Sequence, residues 1–265
     1  MSKIRIDHLM VQQGLVESRT LAQKLVMSGT VRADGEVVAK QSDLVSEDAT
    51  ITIDTPMEFV SRGGIKLKAA IEAFDLNVNG LICADVGAST GGFTDCLLQN
   101  GATRVYAIDV GYGVLHWKLR NDPRVVVMER TNARYLHVLP EPVQLVTIDA
   151  SFISLDYLLP VIKNWFGQFP GRVIALVKPQ FEAGREQARI HGGVIKDHSV
   201  HLEVLNKVIR DAERFGFELN NLAVSPIKGP KGNIEFLALF CTDLSIGKEQ
   251  REALISRVMS EISTQ

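Results

Sequence analysis

Two lysines and two acids stand where apolar runs end or break. Lys178 follows "RVIALV" and precedes Pro179, Asp149 closes "VQLVTID", and Glu235 interrupts the otherwise apolar "GNIEFLALF". Lys66 lies upstream in the amphipathic stretch Ile65 to Phe74. An unpaired carboxylate in an apolar strand is costly, so Glu235 demands a partner, and a lysine fits. Lysines set among acids suit proton handling. A free lysine, with a pKa of about 10.4, is mostly protonated at neutral pH. Desolvation and a neighbouring cation lower that value, and nearby carboxylates raise it. Taken singly, Asp149 reads equally well as a turn residue and Lys66 as a surface helix lysine.

A second chemistry-bearing stretch is "DVGASTGGFTD", Asp85 to Asp95. Gly87-Ala88-Ser89-Thr90-Gly91 matches the nucleophile elbow of serine hydrolases, but the context fails. That reading needs an oxyanion partner upstream and a triad in the order Ser, acid, His, whereas only a small separate domain lies upstream and the one glycine-rich His motif, His191-Gly192-Gly193, lies far downstream. The glycines also miss the spacing that a nicotinamide pyrophosphate requires. What remains is a strand ending in Asp85, a small-residue turn, and Asp109 ending the next strand. Such a carboxylate grips ribose hydroxyls without any phosphate site. S-adenosylmethionine fits, because its sulfonium and amino groups are cationic and the loop is flanked by acids. Asp85, Gly87, Ala88, Ser89, Gly91, Gly92 and Phe93 are assigned to the methionine end of that cofactor. Asp109 is assigned to the ribose, and Asn132 either to the adenine edge or to a helix cap.

Residues 61 to 265 must supply the frame for these groups. "LICADV", "RVYAIDV", "RVVVM", "VQLVTID" and "RVIALVK" are apolar strands alternating with helical segments, among them "LDYLLPVIKNWF" and a helix around Asp197 to Arg214. That alternation predicts an α/β, doubly wound, Rossmann-like sheet covered on both faces. "FELNNLAVSP" and "GNIEFLALF" are joined too closely for a helical crossover, which predicts an antiparallel last strand. "GREQARIHGGVIKD" has charges and glycines without periodicity, as a lid or an RNA-contacting loop would, and "KEQREALISRVMSEI" is a packing helix. Residues 1 to 60 form a separate small α+β unit. "RIDHLMVQQGL" and "SRTLAQKLVMSG" are helices, Ser18 is an N-cap, and Asp34-Gly35 turns a hairpin.

Charge is nearly balanced, 29 Lys+Arg against 31 Asp+Glu, so any surface for nucleic acid must be local. The three cysteines, Cys83, Cys96 and Cys241, have no metal or disulfide spacing. With no signal peptide and no apolar span, a cytoplasmic protein without a membrane or metal role is expected. No protein partner is inferred.

The first segment closely resembles the S4-type RNA-binding domain, through Arg5 and Asp7, Gly14, Ser18-Arg19, Gly29 and Val31, and the turn glycine. That resemblance implies RNA contacts from Arg5, Arg19, Lys24 and Arg32, although acids outnumber bases in residues 1 to 60. Lys66, Asp149, Lys178 and Glu235 look like the Lys-Asp-Lys-Glu tetrad of FtsJ-class ribose 2′-O-methyltransferases. Together with "VSRGGIKL", "DASFISL", "LVKPQFE" and "KGNIEF", they make the chain resemble the TlyA family, long labelled hemolysins. The resemblance implies methyl transfer from S-adenosylmethionine to cytidine ribose in ribosomal RNA or ribosomal subunits. Lys178 would then accept or orient the 2′-OH proton, with Lys66 steadying the developing alkoxide. Asp149 and Glu235 would orient the lysines. Two rival readings are a non-catalytic ribosomal RNA-binding or assembly protein and a membrane-active protein. The catalytic sheet offers no obvious aromatic platform for bases, so RNA affinity is expected to come from the first segment.

Overall fold

The computed structural model describes residues 3–27, 29–54 and 58–264. The chain divides into two compact units, Met1–Met57 and Glu58–Gln265.

In the first unit, β1 (Lys3–Arg5) runs into α1 (Ile6–Gln12), followed by α2 (Arg19–Met27). Four short strands follow: β2 (Val31–Ala33), β3 (Glu36–Val37), β4 (Leu44–Ser46) and β5 (Ile51–Ile53). Strands β3, β2 and β5 form an antiparallel sheet, and β1 pairs with β4. The hairpin turns on Asp34 and Gly35, both at positive φ (51° and 87°), as a two-residue primed turn requires. Ser18 Oγ accepts the Leu21 amide at 3.3 Å, which caps α2. Ile6, Leu9, Met10, Ala22, Val26 and Val31 are buried together.

Asp7 is fully buried on the same helix, and this changes the role of two arginines. Its carboxylate accepts from Arg5 at 3.0 and 3.1 Å, from Arg19 at 3.0 Å and from Gln23 at 2.8 Å. Arg32 likewise binds Asp54 at 2.8 Å and the Gly35 carbonyl. Arg5, Arg19 and Arg32 therefore hold the unit together through half-exposed guanidiniums, while Lys24 is exposed with no ion-pair partner among the described residues. The Arg5 hydrogen bond holds the Asp7 carboxyl far below the usual carboxylate range. A depressed folded pKa contributes stability above the unfolded value, near 3.9, that disappears as pH falls toward the folded one. Asp7→Asn is thus expected to cost about 2–3 kcal/mol at pH 7, the lower end for a broken buried pair because both arginines stay hydrated. Urea titrations from pH 2 to 7 would check it: the variant should lose the wild type's acid dependence in that unit.

The second unit is a seven-stranded sheet in the order β11-β12-β10-β9-β6-β7-β8. Its strands are β6 (Ile82–Val86), β7 (Arg104–Ile108), β8 (Val125–Met128), β9 (Leu145–Ile148), β10 (Arg172–Val177), β11 (Glu218–Val224) and β12 (Phe236–Cys241). Strands β6 to β10 are parallel, and β12 runs antiparallel to both β10 and β11. Alternate residues serve opposite faces: Val173, Ala175 and Val177 pack in one apolar cluster, Ile174 and Leu176 in the other. The helices are α3 (Gly63–Ala73), α4 (Gly92–Gln99), α5 (Trp117–Arg120), α6 (Leu159–Ile162), α7 (Pro179–Glu182), α8 (Arg185–Ile190), α9 (His198–Arg214) and α10 (Lys248–Ser263). Helices α3 and α4 contribute to one cluster, and α6, α9 and α10 to the other. Burial pushes the Cys83 and Cys96 thiols up to about 12, so they act as packing groups.

Two segments differ from expectation. "LDYLLPVIKNWF" is one short α-helical turn, α6, between two 3₁₀ turns, because Pro160 has no N–H to continue a ladder. The 184–197 stretch contains α8 and is then tied down. Asn233 accepts the Ile195 amide and donates to the Gly193 carbonyl, both at 2.9 Å. Among the described residues no helix is long and apolar enough to cross a membrane.

Candidate active site

The strand order reverses at β6, with β7 and β8 following on one side and β9 and β10 on the other, and a cleft opens at the strand ends there. The cleft holds about 470 Å³ and is lined by Gly87, Ser89, Asp109, Asn132, Asp149, Ser151 and Phe152, with apolar walls from Ile108, Ile153 and Leu158. Asp109 accepts the Ser89 amide at 2.8 Å and the Gly111 amide at 2.7 Å. These two bonds fix the carboxylate and leave it spare lone pairs at the cleft wall. Asn132 lines the cleft and also caps a 3₁₀ turn, accepting the Arg134 amide at 3.0 Å. Gly87 sits at φ +82°, and a Cβ there would lie 2.8 Å from the Asp149 carbonyl oxygen.

The remaining loop residues lie behind the cleft. Ala88, Gly91, Gly92 and Phe93 are buried, with Phe93 in an apolar cluster and Gly91 packed under Leu119. Asp85 is fully buried and accepts from Thr94 Oγ1 at 2.6 Å and Thr147 Oγ1 at 3.2 Å. Burial, with the Asp149 charge adding to it, pushes its carboxyl up to about 7 against the two hydroxyls. A raised folded pKa contributes stability at low pH that is lost as pH climbs from the unfolded value through about 7. Asp85→Asn is therefore expected to stabilise the protein at pH 8 by about 2–4 kcal/mol, with little gain at pH 4. Chemical denaturation at both values would decide it, and equal effects at the two would refute the assignment.

The four tetrad candidates form two ion pairs at the strand ends. Lys178 Nζ lies 2.7 Å from Asp149 Oδ1, and Lys66 Nζ lies 2.6 Å from Glu235 Oε2. Sheet register explains why they meet. Ala175 pairs with Ile148, and Val177 with Phe236, so the chain positions just beyond carry Asp149, Lys178 and Glu235 to one edge. Glu235 stands immediately before β12, one residue outside the strand expected to contain it. Lys66 reaches it from α3. Gln180 donates to Glu235 Oε1 at 3.4 Å, while its own Oε1 is buried with no partner among the described residues. A Cβ on Gly229 would press on Glu235 at 2.6 Å, so that glycine makes room for the carboxylate.

Lys178 has a second partner residue that sequence reasoning missed. Its ammonium donates to Ser151 Oγ at 2.9 Å and, more weakly, to the Asp149 carbonyl at 3.4 Å. Glu182 was missed as well. It is buried and accepts from Ser154 Oγ at 2.6 Å and the Leu155 amide at 2.8 Å, which pins the loop carrying Asp149 and Ser151 to α7. Nothing in the strings "DASFISL" and "LVKPQFE" signals that they lock together.

The unit also exposes aromatic rings around the cleft, contrary to the expectation of no platform. Phe152, in the lining, is 90% exposed at φ +65°. Tyr112, Trp117 and Tyr135 are exposed on adjoining segments, with Arg130 stacked 4.1 Å over Tyr112 and Arg134 4.5 Å over Tyr157. No cluster of His, Cys, Asp and Glu able to hold a metal occurs among the described residues.

The FtsJ-like methyltransferase family model matches residues 59–241, and the S4 domain model matches residues 4–51. The chain is 42% identical over 265 residues to the 16S/23S rRNA (cytidine-2′-O)-methyltransferase TlyA of Mycobacterium tuberculosis, covering 98% of each. It is 40% identical to Hemolysin A of Brachyspira hyodysenteriae, over 89% of this chain and 99% of that one. A solved structure described as a candidate hemolysin from Streptococcus thermophilus superposes with a TM-score of 0.74 at 42% identity, covering 100% of this chain and 97% of that one.

Proposed function

The chain belongs to the TlyA family of FtsJ-like methyltransferases, and from that premise we propose that it methylates the 2′-oxygen of a cytidine ribose in ribosomal RNA. The observation that carries this reading is the pair of lysine–carboxylate contacts beside an acid-lined cleft. The cleft suits S-adenosylmethionine: its lining includes Asp109 and Asp149 and no lysine or arginine, so it favours a cationic ligand over a phosphorylated one. Bound there, S-adenosylmethionine supplies an electrophilic methyl group on a sulfonium.

The chain's own residues do the rest. Asp109 holds the ribose hydroxyls of the cofactor, and the Gly87 turn lets the chain pass close to Asp149. Lys178 and Asp149 handle the proton that leaves the target hydroxyl. In the resting arrangement every N–H of the Lys178 ammonium is spent on Asp149 or Ser151, so Lys178 must hand a proton along its 2.7 Å contact with Asp149 before receiving another. Lys66, held by Glu235, adds a positive charge that favours the developing alkoxide. The exposed rings and arginines around the cleft offer stacking to unpaired bases, and Lys24 offers a phosphate contact from the S4 domain.

The deciding experiment incubates the protein with each ribosomal subunit and radiolabelled S-adenosylmethionine, then maps ribose methylation. A new 2′-O-methylcytidine is expected. No incorporation into either subunit, or into a base only, overturns the proposal. Asp109→Ala should weaken S-adenosylmethionine binding by about 1–3 kcal/mol in calorimetry, the usual cost of losing hydrogen bonds to a charged group. Unchanged affinity would remove Asp109 from the cofactor site.

A further inference from the structure

We propose that Ser151 is a further catalytic residue, whose hydroxyl donates a hydrogen bond to the ribose 2′-oxygen while its own oxygen is held by Lys178. The inference rests on the methyltransferase reading above.

Ser151 is the point where two parts of the site meet. It is exposed and lines the cleft beside Asp149 and Phe152, whereas Lys178 is almost wholly buried behind it. Its Oγ accepts from Lys178 Nζ at 2.9 Å, and no acceptor among the described residues takes its O–H. A serine hydroxyl carries one donor and two lone pairs, so the donor is left pointing to whatever occupies the cleft mouth. A cation donating into the oxygen polarises the remaining O–H and strengthens it as a donor.

The hydroxyl is also held in place before substrate arrives. The loop is fixed at one end by the Asp149 amide bonded to the Val86 carbonyl at 2.9 Å. At the other end, Glu182 binds Ser154 and the Leu155 amide. Between them Phe152 adopts φ +65°, a conformation that a bulky side chain enters only when its surroundings enforce it. Preorganised donors aimed at an oxygen that gains negative charge are among the largest single contributors to catalysis. As the proton leaves the 2′-oxygen, Ser151 steadies the growing charge and leaves a lone pair free to face the methyl group.

The test compares Ser151→Ala and Ser151→Thr with wild type. Single-turnover methylation should fall about 10- to 100-fold in the alanine variant, below the full loss of an oxyanion-hole donor because the lysines remain. Threonine should restore most of the rate, and calorimetric S-adenosylmethionine affinity should stay within about twofold in both, which also reports that the variants fold. A second readout needs no turnover. An RNA fragment that the wild type methylates is prepared with ribose or 2′-deoxyribose at the modified cytidine, and both forms are titrated. Wild type should bind the ribose form more tightly, and Ser151→Ala should lose that preference. A rate within twofold of wild type, no rescue by threonine, or a ribose preference unchanged in Ser151→Ala overturns the assignment; the last outcome would mean that Ser151 acts only through Lys178. Failure of the wild type to methylate any ribosomal RNA would instead remove the functional reading beneath it.

Discussion

Lys178→Ala is expected to slow single-turnover methyl transfer by ~10²-fold or more while leaving S-adenosylmethionine affinity near wild type, the scale for a positioned proton-transfer group. The reasoning is geometric. Lys178 stands at the end of β10 behind the cleft wall, absent from the cleft lining, so its loss should spare cofactor contacts. The same change strands Asp149, which loses its 2.7 Å partner but keeps 23% of its side chain in contact with water. That exposure limits the folding penalty, so the loss should be read in rate and not in stability. Lys178→Arg keeps the charge but, because a guanidinium stays protonated at any working pH, cannot release and take up a proton, and it should be nearly as slow. A variant that retains most of its rate would remove Lys178 from the chemistry.

Gly87→Ala should damage cofactor binding and catalysis together, by at least about tenfold each. Two effects combine. A left-handed residue with a Cβ costs roughly 1–2 kcal/mol. The added atom would also lie 2.8 Å from the Asp149 oxygen, 3.0 Å from its carbon and 3.1 Å from the Ala150 Cα, all backbone that cannot swing aside. Relief requires the β6 turn and the Asp149 loop to separate, which widens the cleft and moves a Lys178 acceptor. Gly80→Ala is the control, since Gly80 has nearly the same φ, +80°, and nothing within 4 Å of a built Cβ. It should lose a little stability and no activity. Similar losses in the two variants would show that backbone strain alone, and not the Asp149 contact, accounts for the effect.

The central sheet and its site edge were legible because buried parallel strands read as unbroken apolar runs, and a charge breaking such a run needs a partner. Lys178 and Glu235 gave themselves away in this manner. Asp85 could have been placed by the same logic: alternation puts it on the Cys83 face, toward α4, and so away from the cleft. Other features leave no one-dimensional trace. Arg5 and Arg19 look like any surface arginines until Asp7, in the first turn of α1, proves to be buried beneath them. Ser151 meets Lys178 27 positions along the chain, and Glu182 meets Ser154 28 positions back, around a turn whose strain at Phe152 no propensity would favour.

β12 is the last strand made, yet it lies inside the sheet, between β10 and β11. Protein synthesis runs from the N-terminus, so a nascent chain extending through α9 already contains Lys66, Asp149 and Lys178. At that stage β10 is a bare apolar edge, and Lys66 has no carboxylate to hold it. Such an edge is a template for pairing with other chains. The tetrad is completed only when the strand that begins after Glu235 threads into its slot. A chain cut short before Glu235 is therefore expected to lack the Lys66 ion pair along with the strand that follows it, so site and sheet are completed in one step.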